Sequence, residues 1–171
     1  AVDDIVAHEW AKQALQAGAA PLAALTYLQT YLIYKTRPLA ECLVRMAREV
    51  VAVAAALGIE PTDYDGYGFD VRRLASAPFD EAVATVIAAG EAQEAAGKTD
   101  VIVSMSQDVR AGRRTEIEET VGHVVRVAEE LGVDVPVLRF AADAIRGIER
   151  ASGAHGGRDG RIGAPAPVGA S

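Results

Sequence analysis

An all-α bundle of six to seven helices, followed by a flexible tail rich in Gly, Ala and Pro, is the fold this sequence predicts. Three observations carry that expectation. Apolar residues recur at three- and four-residue spacing along almost the whole chain, the period of a helix with one buried face. No alternation of apolar and polar residues persists beyond a few positions, so a half-buried strand has no pattern to rest on. Aromatics make up 5% of the 171 residues against 50% hydrophobics. The core must then be built from Ala, Val, Leu and Ile, small side chains that let helices approach closely.

The elements follow in order. A first helix is expected from Ile5 to about Ala19, with Trp10, Ala14 and Ala17 on one stripe. Pro21 should interrupt or kink it, because proline lacks an N–H and disfavours the helical region for Ala20. A second stretch resumes from Leu22 to about Tyr34. Pro38 suits the first turn of a long helix to Leu57, with Leu43, Ala47, Val50 and Ala54 in register and Gly58 as the left-handed cap. Residues 60–68 are turn chemistry and read as a loop. Pro78 opens a helix from Phe79 to Ala96, ended by Gly97. From Val101 to Ala111 the signals conflict: Val101, Ile102 and Val103 favour a strand, the residues after them a helix. Thr115 and Glu118 fit a capping box for a helix carrying Ile117, Val121, Val124, Val125, Ala128 and Leu131 up to Gly132. Pro136 precedes a last helix to about Arg150. Residues 1–151 are thus read as one helical domain and 152–171 as a tail that cannot bury enough surface to order itself.

Composition narrows the function. Seventeen basic against 24 acidic residues give a net charge of −7, which argues against general nucleic-acid binding and against an anionic membrane surface. The single cysteine, Cys42, excludes an internal disulfide and reads as a buried, inert thiol on a helix face. No signal peptide is visible, and no apolar run reaches the roughly 20 residues of a membrane span. The expected compartment is cytoplasmic. The chain begins Ala-Val-Asp-Asp, without an initiator Met, and is read as processed, excised or incomplete.

Familiar sites are missing. Asp65-Gly66-Tyr67-Gly68 lacks the third glycine and the preceding strand of a dinucleotide fingerprint. His8, His123 and His155 lie far apart, and no metal site is expected of them. Arg110, Arg113 and Arg114 form a basic cluster that reads as a solvated turn, with contact to a cofactor phosphate as the alternative. Trp10 is taken as a packing anchor, and Tyr27, Tyr31 and Tyr34 as core and rim.

Two stretches are informative: Trp10-Ala11-Lys12 leading to Pro21-Leu22-Ala23-Ala24-Leu25-Thr26, and Ser104-Met105-Ser106-Gln107-Asp108 running through Gly112-Arg113-Arg114-Thr115-Glu116-Ile117 to Gly132-Val133 and Pro136. In order and spacing, over about residues 3–150, they resemble the C-terminal domain of the ketopantoate reductase (2-dehydropantoate 2-reductase) family. The resemblance implies a helical domain like the C-terminal domain of 6-phosphogluconate dehydrogenase. It also implies NADPH-dependent reduction of a small 2-keto acid to a 2-hydroxy acid in pantothenate synthesis. Lys12 falls on the family's catalytic lysine, suited to polarise the ketone and protonate the alkoxide. Glu116 falls on the glutamate that contacts substrate and tunes that lysine. Ser104 falls on the serine that binds the substrate carboxylate.

Lys12, Gln16 and Ala20 share one helical face. The family carries Lys, Asn and Asn there. Gln16 keeps an amide as a substrate-binding group, Ala20 keeps none, and Val121 replaces a further Asn. These departures fit helices but change what the pocket can hold. Taken alone, Lys12 and Glu116 also read as a solvated lysine and a helix-start acid.

In the family a Rossmann domain comes before the helical one and binds most of the NADPH; the likeness here starts at about residue 3. This chain is therefore expected to hold half an active site, inactive alone, completed by a dinucleotide-binding domain in cis or in trans. An exposed apolar patch and a possible homodimer go with that expectation. The alternative is a stand-alone, non-catalytic helical interaction or dimerisation module derived from the same family.

Overall fold

The computed structural model describes residues 2–62 and 68–153, and among them every regular element is a helix. The predicted tail from residue 154, Gly66 and the rest of the loop over 63–67, and His155 lie outside the described residues. Eight helices are found against the six or seven expected: α1 (Val2–Thr26), α2 (Thr30–Lys35), α3 (Arg37–Ala56), α4 (Val71–Ser76), α5 (Phe79–Ala95), α6 (Ser104–Arg110), α7 (Val121–Leu131) and α8 (Pro136–Ala151).

The first boundary differs from the sequence reading. Pro21 lies inside α1, which continues five residues further to Thr26. Proline costs one backbone hydrogen bond in a helix interior, but Leu22, Ala23 and Ala24 are buried, and packing outweighs it. The turn comes instead at Tyr27, which takes a left-handed φ of 59°, a conformation costing a non-glycine residue about 1–2 kcal/mol. Thr26 Oγ1 bonds back to the Leu22 carbonyl at 2.7 Å. Arg110 of α6 donates to the Tyr27 carbonyl at 2.7 Å and lies over the tyrosine ring, 4.9 Å from its centre. Leu22 therefore belongs to α1, and the expected second helix shrinks to the six residues of α2.

Two further elements are resolved. The conflicting stretch 101–111 is helical from Ser104, with Val101–Val103 as its extended approach. Helix α4, which the sequence did not announce, starts where the Asp70 side chain accepts from the Arg72 N–H at 2.7 Å.

Small residues set the packing. Helix α1 lies mainly against α3 and α6, and α2 against α5. A Cβ on Gly18 would stand 3.0 Å from Leu43 Cγ on α3. A Cβ on Gly90 of α5 would stand 2.8 Å from the Lys35 nitrogen and from Tyr34 Cβ on α2. The core runs through Ala11, Leu15, Ile33, Tyr34, Leu43, Met46, Val50, Leu74, Val86, Ile117 and Leu138. The three tyrosines divide as expected: Tyr34 is buried, Tyr31 half-buried and Tyr27 exposed. Cys42 departs from expectation in being half-buried at the edge of the core.

Candidate active-site cleft

Lys12, Gln16 and Ala20 follow one another at four-residue steps along α1, and two of them face a cleft. Its volume is about 560 Å³. Gln16, Ala19 and Ala20 come from α1, Ser104, Met105 and Asp108 from α6, and Glu116 and Thr120 from the turn before α7. Ala89, Ala92 and Gln93 of α5 line it as well. Gln16, Ser104 and Glu116, three of the four predicted site residues, are thus brought together from segments up to a hundred residues apart. Lys12, one turn before Gln16, is half-buried and does not line the cleft. It forms no ion pair among the described residues.

Glu116 is held differently from the capping-box expectation. Thr115 does not start a helix: residues 116–120 form a turn, and α7 begins at Val121. Glu118 does not return to Thr115. Its carboxylate instead receives Arg146 in a two-point contact, at 2.7 Å and 3.0 Å, and Arg126 at 3.0 Å. The Arg146 guanidinium holds the Glu118 carboxyl below its usual range. Thr115 is claimed by Glu149 of α8, a carboxylate only 2% exposed. Glu149 Oε1 accepts from the Thr115 N–H at 2.6 Å and from its hydroxyl at 2.8 Å. Thr115 Oγ1 in turn accepts from the Ile117 N–H at 3.2 Å. Glu116 stands exposed between these fixed neighbours and makes no ion pair among the described residues.

Most other polar groups of the cleft are satisfied internally. Asp108 is paired with Arg113 at 2.7 Å. The Thr120 hydroxyl donates to the Glu116 carbonyl at 2.6 Å, and the Thr30 hydroxyl faces the Val101 carbonyl at 3.4 Å. Arg114 reaches Glu119 at 3.4 Å, so all three arginines of the basic cluster have partners inside the chain. Two cleft residues escaped the sequence reading. Lys98 lies just beyond α5 at the exposed rim. Gln93, on α5, has an Oε1 closed off from solvent and without a hydrogen-bond partner among the described residues. The one available signal for Gln93 was a lone amide in a stripe of alanines.

Exposed apolar side chains at Tyr27, Val101 and Ile102 flank this region. No described helix is long and apolar enough to cross a membrane.

Comparison with known proteins places this geometry. The family model for the C-terminal part of ketopantoate reductases (Ketopantoate reductase PanE/ApbA C terminal) matches residues 4–149. A 2-dehydropantoate 2-reductase of Archaeoglobus fulgidus is 30% identical over 150 residues, which are 87% of this chain but 42% of that protein. The chain thus spans less than half the length of this relative. In fold it is similar to a D-mandelate dehydrogenase solved with NADH and anilino(oxo)acetate, at 20% identity and a TM-score of 0.66 over 87% of this chain and 54% of that one. It is similar also to the 2-dehydropantoate 2-reductase of Methylococcus capsulatus, at 23% identity and a TM-score of 0.62 over 86% of this chain and 43% of that one. With 146 consecutive residues matching the family, in an all-helical fold shared with its solved members, the chain belongs to the ketopantoate reductase family and corresponds to that family's C-terminal domain.

Proposed function

We propose that residues 1–151 form the substrate half of a 2-dehydropantoate 2-reductase-like enzyme that reduces a 2-keto acid to a 2-hydroxy acid with NADPH in the cytoplasm. The observation that carries this reading is the convergence of Gln16, Ser104 and Glu116 on one cleft. Every regular element among the described residues is a helix, and they offer no strand–glycine–helix turn for a dinucleotide. They do not fit the cofactor, which belongs to a dinucleotide-binding domain joined in cis or in trans. A reduced nicotinamide bound by that domain would supply the hydride.

The chain's own groups have separate tasks. Ser104, on the cleft wall, donates a hydrogen bond to the substrate carboxylate, and the Gln16 amide holds the adjoining oxygen. Lys12, on the same helical face as Gln16, polarises the ketone and supplies the proton that the alkoxide needs. Glu116 stands in the cleft as the carboxylate that contacts the substrate.

The test compares the purified 171-residue chain, alone and with the dinucleotide-binding domain supplied, by the loss of NADPH absorbance on adding 2-dehydropantoate. No turnover is expected from the chain alone, because nothing among its described residues fixes a hydride donor against the ketone. In the assembled enzyme Lys12→Met should lower kcat about a hundredfold or more. Turnover by the chain alone, or full activity of the variant, overturns the reading.

One observation favours a second reading. Lys12 is set back from the cleft lining, and Tyr27, Val101 and Ile102 are exposed close by, as suits a non-catalytic module that pairs with itself or another domain. Stable self-association in sedimentation, with no activity in any assembly, would select it.

A further inference from the structure

The segment from Thr115 to Thr120 leads into α7, and the fold commits almost every side chain in it. Thr115 is held by Glu149 at 2.6 Å and 2.8 Å, and Ile117 is fully buried. Glu119 reaches Arg114, and the Thr120 hydroxyl donates to the Glu116 carbonyl. Glu118 is gripped hardest. Arg146 of α8 donates to both of its carboxylate oxygens. Arg126 of α7 donates to one of them and to the Glu118 carbonyl, each at 3.0 Å. Glu116 alone in the segment has a side chain with no partner among the described residues, and it lines the cleft.

Gly122 shows what the grip on Glu118 requires. It sits in the first turn of α7, where no positive φ calls for a glycine. A Cβ there would stand 2.8 Å from Glu118 Oε2, 3.0 Å from the Ile117 carbonyl and 3.1 Å from the Arg146 guanidinium. Helix α7 thus gives up helix propensity at this position and leaves room for an ion pair. That pair is partly exposed, and such pairs contribute little to stability. Stability alone therefore does not account for the concession.

We propose that Arg146 is a positioning residue: through Glu118 it fixes the turn from which Glu116 meets the substrate. The proposal rests on the reading that Glu116 contacts a 2-keto acid in the cleft. Arg146 itself is not among the residues that line the cleft, so it acts on the ligand by way of Glu116. A carboxylate carried between two pinned neighbours is presented without further ordering of its loop when the ligand arrives. With Glu118 released, binding would have to order the turn as well, and affinity falls.

The experiment is calorimetric titration of the 171-residue chain with 2-dehydropantoate, unmodified and as Arg146→Gln, Glu116→Ala and the double variant. Arg146→Gln should weaken binding about tenfold. Glu116→Ala should weaken it too, and adding Arg146→Gln to it should lower affinity no further, because the residue it acts through is gone. Gly122→Ala displaces the same ion pair without removing a charge, and it is read in the same way should Arg146→Gln not fold. Unchanged affinity in Arg146→Gln overturns the proposal. A loss that persists undiminished in the Glu116→Ala background overturns it also, since that is what a purely structural arginine would give. Glu116→Ala binding as tightly as the unmodified chain overturns instead the reading that Glu116 contacts the substrate. Failure of the unmodified chain to bind the acid overturns the 2-keto acid reading beneath both.

Discussion

Glu149 and Thr115 lie 34 positions apart in the chain, yet their contact decides how Glu116 is presented. A local reading pairs Thr115 with Glu118, because that spacing is all a linear pattern can show. Glu149 takes over both donors of Thr115, and Glu118 is drawn to Arg146. Removing the buried carboxylate leaves the Thr115 N–H without an acceptor, so Glu149→Ala should cost about 2 kcal/mol, read as a lower urea midpoint at unchanged slope. An unchanged midpoint would mean that the turn does not depend on this contact. The same contrast explains which cleft residues were legible. Ser104, Glu116 and Gln16 were readable because a long motif carries them in fixed order. Gln93 carries no motif, and its unmatched oxygen exists only once α5 has met the cleft.

At the level of elements, periodicity located α3, α5 and α8 to within a few residues, since each buries one face and is bounded by a proline or a glycine, whereas for α7 it found the end at Gly132 but opened the helix at Thr115 instead of Val121. It failed at α1, where tertiary burial carries a helix past Pro21, and at α4, whose six residues are too few to show a period. The scarcity of aromatics did foretell close helix approach. Gly90 is its sharpest instance: α5 and α2 meet there backbone to backbone, beside the Lys35–Glu94 ion pair. Gly90→Ala gains helix propensity of up to about 1 kcal/mol, but the added carbon must push the α2 backbone away. The net effect should be a loss of about 1–3 kcal/mol, visible as a lower thermal midpoint. A stabilised variant would show that α2 yields freely.

Across the whole molecule, two carboxylates give opposite responses to acid. Glu118 is held below its ordinary value of 4.5, chiefly by the hydrogen bonds from Arg146. Its contribution to stability is present above that value and is lost as pH falls through the lowered one. Glu49 of α3 accepts from the Val137 and Leu138 N–H groups at 3.0 Å and 2.8 Å and so caps α8, yet burial raises it. Its titration therefore favours the native state below 4.5, and that share declines as pH rises through the raised value. In melting curves taken across the acid range, Glu118→Gln should flatten the fall in midpoint and Glu49→Gln should steepen it. Identical slopes for both variants and the parent would refute this assignment.

The unbroken course of α1 has a mechanical consequence. Its 25 residues, rising about 1.5 Å each, make a rod of about 37 Å, clamped at one end where Arg110 grips Tyr27. Lys12 sits some 22 Å back along that rod, so a tilt of about three degrees at the clamp would swing its Cα through roughly 1 Å.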